Sequence, residues 1–406
     1  MQSFEQPPAE YDELLKRFKE KSNQGWKLGS RQLHKTLSVA VYVDNPMLHT
    51  DDQKLFSSFL IASLIADFFV ARGGLNQRLI VLSDFNSEHL DIGVIKKLSK
   101  KGESDLPNSL SLHQSRNEKI NVLSQKLRDY GFSPNITDIK FDTELCDYQK
   151  LLEVSYSWLR KSGGSVINDT PCFRLKSGKL LPLMRYESII YKEAINIGWI
   201  QELCKLSDSV LVISSHENSI GEIVAVIQSD FKNLFCTLVG KTVGSQLVWS
   251  HPLTNIKLKS KYSVDPQLHL TSLFKRFNAK THLSIDEANL ILNQIGELLD
   301  FSKKIIENFQ VTSQQDHVRR ELISIEAQFI KAVLDYELII QRFIDLYEIN
   351  IIIDYLFHIL NTYQTIISYY NSRLIRLEKD LFMHLFGAAF LALVSDLLDI
   401  LGIVEG

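Results

Sequence analysis

The feature that most constrains the fold is a strand–helix–strand pattern near the start of the chain. Leu37–Val43 is a short run rich in β-branched residues, which is typical of a buried strand. A helix that is apolar nearly all round follows over Leu55–Arg72 and stops at Gly73-Gly74, before a second short run at Leu79–Leu82. Two strands joined by a buried helix indicate a βαβ unit and therefore a parallel sheet covered by helices.

The last third of the chain has a different, wholly helical pattern. Apolar residues recur at spacings of three and four. The predicted helices cover Ile285 to Phe309, Asp316 to Leu346, Ile349 to Asn371 and Leu381 to Leu401. Gly402 follows the last of them, where a C-cap glycine belongs. The short connections predict antiparallel neighbours in a helical bundle.

These patterns divide the chain of 406 residues into three segments. Residues 1–36 are expected to form a peripheral, N-terminal helical extension, residues 37–282 an α/β domain and residues 283–406 a helical domain. A further buried strand is expected at Val210–Ile213. Within the α/β domain, residues 90–165 are polar and locally basic, so they are expected to be an insertion. That insertion is either a solvated loop or a surface that contacts nucleic-acid phosphates without reading the base sequence.

Charge is unevenly distributed along the chain. The net charge is −3, but residues 283–406 carry 18 acidic and 9 basic side chains, whereas the rest carries 30 and 36. A polyanionic partner is therefore expected to meet the first two-thirds of the chain more readily than the last third.

The cysteines and the apolar stretches bear on compartment and on metal binding. The four cysteines lie far apart, without a histidine at ligand spacing: Cys146, Cys172, Cys204 and Cys236. This pattern predicts reduced thiols, no zinc site and a cytoplasmic location. The most apolar stretch, Leu385–Val394, is about half the length needed to span a bilayer, and Asp396 follows it. It is therefore expected to be a buried helix, and no membrane partner is expected.

The end of the chain carries residues that resemble a known domain. They are Tyr355-Leu356, the run Tyr369-Tyr370-Asn371-Ser372-Arg373, and Leu397–Ile403. Together they resemble the DALR anticodon-binding domain of arginyl-tRNA synthetases. That domain has an aromatic-rich helix that ends near Phe/Tyr-Tyr-x-x-x-Arg-Val and a final helix that ends in Leu-Leu-Gly-Ile. The resemblance implies an all-α anticodon-binding bundle.

Two further stretches, Leu234–Gly244 and Phe382–Ile403, resemble the animal non-catalytic paralogues of arginyl-tRNA synthetase that contain a DALR domain. This resemblance implies an adaptor. Such a protein recognises arginine tRNAs and presents them to a methyltransferase that forms 3-methylcytidine in the anticodon loop.

The front of the chain resembles the first βα unit of the synthetase, a Rossmann-like class I domain, in degenerate form. The resemblance places the family's His-x-Gly-His signature on Asp52-Gln53-Lys54-Leu55 and the arginine that follows it on Ser57. The signature stabilises charge developing on the ATP α-phosphate, and an aspartate in place of the first histidine repels that charge. A Lys-Met-Ser-Lys-Ser loop is also missing, since Lys257–Lys261 lacks its pattern. The chain is therefore expected not to be an enzyme and to need no cofactor.

Two groups of residues are candidates for tRNA binding. The resemblance implies that the first group faces the anticodon stem-loop: Tyr369, Asn371, Arg373 and Arg376. Aromatic rings and guanidinium planes stack on single-stranded bases, while polar groups read base edges. The alternative for this group is ordinary helix-end chemistry, and Tyr370 is expected in the core.

The second group is the densest basic stretch of the chain: Lys257, Lys259, Lys261, Lys275, Arg276 and Lys280. It is either a track for tRNA phosphates or a solvated linker. No catalytic or metal-binding residue is assigned. Two alternatives to the adaptor stay open, namely an active arginyl-tRNA synthetase and a protein-interaction scaffold that does not bind RNA.

Overall fold

The structure is a computed structural model that describes strands and helices in both halves of the chain. The described residues are 9–24, 33, 35–43, 52–73, 75–83, 121–132, 140–141, 157, 165–167, 170–174, 180–182, 192–215, 221, 224, 227–228, 230–239, 258–274, 285–309, 323–372 and 381–405. The strands are β1 (Thr36–Val43), β2 (Leu75–Ser83), β3 (Lys140–Phe141), β4 (Ser165–Ile167), β5 (Thr170–Arg174), β6 (Leu180–Pro182), β7 (Ser209–Ser215), β8 (Leu234–Val239), β9 (Leu258–Ser260) and β10 (Ile403–Glu405). The helices are α1 (Ala9–Asn23), α2 (Asp52–Ala71), α3 (121–129), α4 (Lys192–Leu206), α5 (Pro266–Phe274), α6 (Ile285–Glu307), α7 (Ile323–Leu334), α8 (Tyr336–Leu346), α9 (Ile349–Ser372) and α10 (Leu381–Ile400).

A five-stranded sheet of order β3-β2-β1-β7-β8 is the centre of the α/β part, and each of its pairs is parallel. The crossover helix α2 joins β1 to β2 and packs on both, which confirms the predicted βαβ unit. The strand order runs outward from β1 to β3, then returns to β7 on the other side of β1. The topological switch point of this doubly wound sheet therefore lies between β1 and β7.

Helix α2 is apolar all round because it is covered on all sides. It packs on the sheet through β1, β2 and β7, and on α5 and α10. Every residue from Leu55 to Ile65 is buried. A helix with only one covered face would show a polar stripe, so the missing stripe in the sequence already indicated this double burial.

The helical part is a bundle with antiparallel neighbours. Helix α6 packs on α10, and α9 packs on α7, α8 and α10. The Tyr363 ring of α9 stacks on the Phe390 ring of α10, with ring centroids 4.1 Å apart. Gly402 has a φ of 69° and closes the turn after α10, which confirms the predicted C-cap glycine.

The predicted helix from Asp316 to Leu346 is wrong in one respect. The chain breaks at Asp335, which has φ −77° and ψ −6°, so α7 and α8 are separate helices. These dihedrals are still in the right-handed helical region, and the Asp335 N–H donates to the Lys331 carbonyl at 2.9 Å, so the interruption is a single irregular residue. The break lets Tyr336, Ile340 and Phe343 of α8 face the core.

Part of the expected polar insertion at residues 90–165 belongs to the fold. Helix α3 and the turn after it place Leu123, Leu127, Tyr130 and Phe132 in the core. Strand β3 extends the sheet as a parallel neighbour of β2. The helical spacing of the first three apolar residues was the available signal, and the many lysines around them concealed it. Most other residues of this interval lie outside the described part of the chain.

The N-terminal helix is attached to the bundle rather than peripheral. Phe18 of α1 is fully buried and meets Phe386 of α10 edge-on, with ring centroids 5.5 Å apart. Helix α10 has the length and apolarity of a membrane span. Its burial in the bundle core, through residues such as Phe390 and Leu397, accounts for that composition.

Candidate functional site

The first candidate site is the switch point of the sheet, where open α/β sheets bind ligands. Strand β1 ends at Val43, and α2 begins at Asp52. The stretch Asp52–Leu55, on which the synthetase signature aligns, thus forms the N-terminal turn of α2 beyond the carboxyl end of β1. A helix N-terminus favours bound phosphate. Here that turn carries an aspartate, and Ser57 is fully buried at the position aligned with the family's arginine.

The second candidate site is the carboxyl end of α9. Asn371 is exposed and Tyr369 is half-buried in the last turn of this helix. Tyr370 between them is only 2% exposed, which confirms its predicted place in the core. Arg373 and Arg376 lie outside the described residues. The described members of the first predicted group therefore share one helix end, with Asn371 the more accessible.

A buried carboxylate behind this helix end was not predicted. Glu326 of α7 is 1% exposed. It accepts hydrogen bonds from the Tyr11 hydroxyl at 2.5 Å and from the Tyr370 hydroxyl at 3.2 Å. The only sequence signal was an acidic residue on the apolar stripe that continues through Phe329 and Val333. Its partner Tyr11 is 315 positions away, so the sequence could not pair them.

The third candidate site is the segment of β9 that carries the described members of the basic group. Lys259 is exposed. Lys261 forms an ion pair with Asp399 Oδ1 at 2.5 Å and donates to the Asp399 carbonyl oxygen at 3.1 Å. This pairing fastens β9 to the end of α10 and differs from the free phosphate contact expected of Lys261. The other members lie outside the described residues: Lys257, Lys275, Arg276 and Lys280.

The described members of the two predicted groups, Tyr369 and Asn371 on one side and Lys259 and Lys261 on the other, do not lie together. The end of α9 lies beside the start of α10, because these helices are antiparallel neighbours. Lys261 lies beside Asp399, at the other end of α10. From Leu381 to Asp399 the helix rises about 27 Å. One small ligand cannot contact both groups, whereas an extended polymer can.

Chemically reactive side chains near the domain junction are held in unreactive forms. His269 of α5 is fully buried, with Nδ1 2.7 Å from the Ser260 hydroxyl, and burial lowers the pKa of its imidazole to about 4. Cys204 and Cys236 are free, and burial raises the pKa of each thiol to about 12. Among the described residues, no cluster of three or more His, Cys, Asp or Glu side chains could hold a metal ion.

Comparisons with known proteins agree on the fold. No protein-family model and no curated protein sequence matches the chain. Among solved structures, the chain is similar to a Campylobacter jejuni protein assigned as an arginyl-tRNA synthetase, at 12% identity and a TM-score of 0.59. The match covers 98% of this chain and 99% of that chain.

Two further matches have TM-scores too low to support a conclusion about the fold. One is the arginyl-tRNA synthetase of Plasmodium falciparum, at 13% identity and a TM-score of 0.47, over 91% of this chain and 76% of that chain. The other is the Mycobacterium tuberculosis methionyl-tRNA synthetase, at 10% identity and a TM-score of 0.46, over 91% and 92%. The first match, over nearly the whole length of both chains, shows that this chain has an arginyl-tRNA-synthetase-like fold.

Proposed function

We propose that this protein is a tRNA-binding adaptor that does not aminoacylate tRNA. The observation that carries the proposal is the start of α2 in a chain of synthetase-like fold. The turn that lies beyond the carboxyl end of β1 has the sequence Asp52-Gln53-Lys54-Leu55 instead of His-x-Gly-His. A fold kept at full length with altered signature residues fits a role that uses the shape and the RNA-binding surfaces of a synthetase.

The energetic argument concerns the charge that develops on the ATP α-phosphate. Losing one donor that stabilises such charge costs about 2.7–4 kcal/mol in the transition state. Here both signature histidines are replaced, and one replacement is an acid. Losing both is expected to cost about 5–8 kcal/mol in the transition state, so aminoacylation is expected to be absent.

Two surfaces are proposed to contact tRNA. The end of α9, with Tyr369 and Asn371, would meet unpaired bases by stacking and by hydrogen bonds to base edges, and Arg373 follows it in the sequence. The basic group that includes Lys259 would meet phosphates. The separation of about 27 Å between the two surfaces suits an RNA that lies along the bundle.

The identity of the RNA and of the partner rests on the resemblance to non-catalytic arginyl-tRNA synthetase paralogues. That resemblance supports arginine tRNAs as the ligand and a tRNA 3-methylcytidine methyltransferase as the partner, in the cytoplasm. The adaptor would hold the tRNA while the methyltransferase supplies the chemistry. No cofactor is needed for such a role.

The test is to purify the tagged protein from its own cells at moderate salt and to sequence the RNA that accompanies it. We expect enrichment of a few arginine tRNAs and no arginyl-tRNA formation when the purified protein is given ATP, arginine and tRNA. Arginyl-tRNA formation would identify an active synthetase. Background RNA alone would favour a scaffold that does not bind RNA.

Substitutions of surface residues distinguish tRNA contacts at the proposed sites from a general effect of protein charge on tRNA binding. Lys259→Glu is expected to weaken binding to all tRNAs and to reduce the salt dependence of log K by about one. Asn371→Ala is expected to weaken binding to the enriched tRNAs by about 1–2 kcal/mol and to leave the salt dependence unchanged. Lys232→Glu, an exposed charge reversal before β8, is the control and should bind as the wild type does. Equal effects of Lys259→Glu and Lys232→Glu would contradict the phosphate contact.

A further inference from the structure

The buried carboxylate of Glu326 in α7 joins α1 to the proposed RNA-contacting end of α9. Its Oε2 accepts from Tyr11 of α1, and its Oε1 accepts from Tyr370 of α9. Glu326 itself belongs to α7 and is 1% exposed. The hydroxyl bonded to Oε1 thus belongs to the residue between Tyr369 and Asn371.

Helix α1 is held against the bundle at several points along its length. Lys21 forms an ion pair with Glu337 at 2.9 Å, ten residues after the Tyr11 contact. Glu326 lies in α7 and Glu337 lies eleven residues later in the first turn of α8, so α1 runs alongside α7 and reaches the start of α8. Phe18 packs against Phe386 between these two points. The position of Tyr11 relative to Glu326 is therefore fixed by the whole helix.

The two tyrosine hydroxyls depend on each other through this carboxylate. A buried carboxylate is strongly disfavoured unless its oxygens accept hydrogen bonds. When the Tyr11 donor is lost, the desolvated Oε2 favours a shift of the carboxylate, which weakens the bond that Oε1 accepts from Tyr370. The last turn of a helix lacks internal partners for its carbonyl groups and is prone to fray. The bond from Tyr370 to Glu326 restrains that turn of α9.

We propose that Tyr11 is a positioning residue for RNA binding. Through Glu326 it holds Tyr370, and with it the last turn of α9, in the orientation in which Tyr369 and Asn371 meet RNA. This inference rests on the proposed function at the same helix end. It adds α1, which touches no RNA in the proposal, as a determinant of affinity.

The experiment compares three deletions of a single buried hydroxyl from the same bundle. Tyr11→Phe and Tyr370→Phe each remove one donor to Glu326. Tyr363→Phe removes a buried hydroxyl two turns earlier in α9, where it accepts from the Ser302 hydroxyl at 2.8 Å, and is the matched control. All three remove one buried hydrogen bond in the same bundle, so each is expected to lower the melting temperature. Tyr11→Phe and Tyr370→Phe should lower it more than Tyr363→Phe, because their acceptor is a carboxylate.

Two readouts are measured, namely hydrogen exchange of the α9 amides and affinity for unfractionated cellular tRNA. In Tyr11→Phe and Tyr370→Phe, we expect exchange to rise about five-fold over residues 366–372 and tRNA to bind about five-fold more weakly. In Tyr363→Phe, hydrogen exchange over residues 366–372 and the affinity for tRNA should both stay at their wild-type values.

The outcomes separate this inference from the proposed function. Unchanged exchange at the end of α9 in Tyr11→Phe overturns the positioning role, whatever the RNA does. Raised exchange with unchanged tRNA affinity overturns it as well, since the turn would then move without consequence. A wild-type protein that does not bind tRNA overturns the proposed function and, with it, the role of Tyr11 in binding.

Discussion

Gly402 forms the turn between α10 and β10. Its φ of 69° lies in the left-handed region, and a Cβ there would come within 2.7 Å of Leu64 Cδ2. The same Cβ would lie 3.2 Å from the His269 ring and 3.3 Å from the Tyr262 ring. The glycine thus permits both the turn after α10 and the close approach of that turn to α2 and α5.

Replacing Gly402 should cost stability, whereas replacing another glycine should add it. We expect Gly402→Ala to lower the free energy of unfolding by about 1–3 kcal/mol, because left-handed backbone and crowding act together. Gly296 lies within α6 with nothing within 4 Å of an added Cβ. Gly296→Ala should raise the free energy of unfolding by about 0.5–1 kcal/mol through helix propensity. Urea unfolding of both variants measures the two changes, and equal signs would contradict this account.

His269 gives the protein a defined dependence on pH. Burial lowers the pKa of this imidazole from 6.5 to about 4 in the folded state. Between these values the unfolded chain binds a proton that the folded chain does not. The contribution to stability is therefore complete above pH 6.5 and is lost as pH falls toward 4.

The expected size of the effect is about 3 kcal/mol, since each unit of pKa difference is worth 1.36 kcal/mol. Burial raises the pKa of Asp67 and Asp396, which acts in the opposite direction at low pH, so the wild-type curve alone mixes several groups. His269→Asn isolates the imidazole. Free energies of unfolding measured from pH 7.5 to 4 should fall more steeply in the wild type than in this variant. Parallel curves would show that His269 is not buried as a neutral ring.

At the scale of elements, the helices and strands that could be predicted are those whose formation depends on residues adjacent in the sequence. The periodicity of α2 and α10 and the β-branched run of β1 are local signals, and each element appears within a few residues of its predicted bounds. The break at Asp335 is not local, because it follows from the orientation that packing imposes on Tyr336 and Phe343. Residues 121–132 do carry a local signal, the helical spacing of Leu123, Leu127 and Tyr130, but the polar and basic residues around them favour an insertion.

The candidate site could be predicted only in part. The position of Tyr370 in the core followed from its place on the apolar stripe of α9. The ion pair of Lys261 with Asp399 joins residues far apart in sequence and was not visible in a local count of charges. The hydrogen bond between Tyr11 and Glu326 likewise joins residues far apart in the sequence, so it could not be predicted from local patterns. Contacts between distant elements therefore decide which polar residues are available to a partner.

At the scale of the whole molecule, the α/β part and the bundle share one core. Phe68 of α2 meets Phe343 of α8 edge-on, with ring centroids 4.9 Å apart. Tyr347, just after α8, stacks on Phe69 of α2 at 5.4 Å and meets Phe235 of β8 at 4.7 Å. Aromatic pairs of this kind contribute about 0.5–1.5 kcal/mol each beyond their buried area. The two parts are therefore expected to unfold together.

The distribution of tryptophan makes this coupling measurable. All four tryptophans precede residue 283, at Trp26, Trp158, Trp199 and Trp249, and Trp199 belongs to α4 of the α/β part, so the fluorescence of Trp199 reports on that part. Far-UV circular dichroism reports mainly on the helices, which are concentrated in the bundle. In the wild type, the two signals should give coincident urea transitions, as a single cooperative unit requires.

Tyr347→Ala should separate the two transitions, because it removes the ring that bridges α2 and β8 to the bundle. Phe390→Ala is the matched control, since Phe390 is fully buried but packs within the bundle against Tyr363. Both changes should cost about 3–5 kcal/mol. The control should shift both signals together to lower urea, because the intact junction transmits the loss to the whole molecule. Separate transitions in the wild type, or in Phe390→Ala, would mean that the synthetase-like body and the bundle are independent domains and that Tyr347 does not couple them.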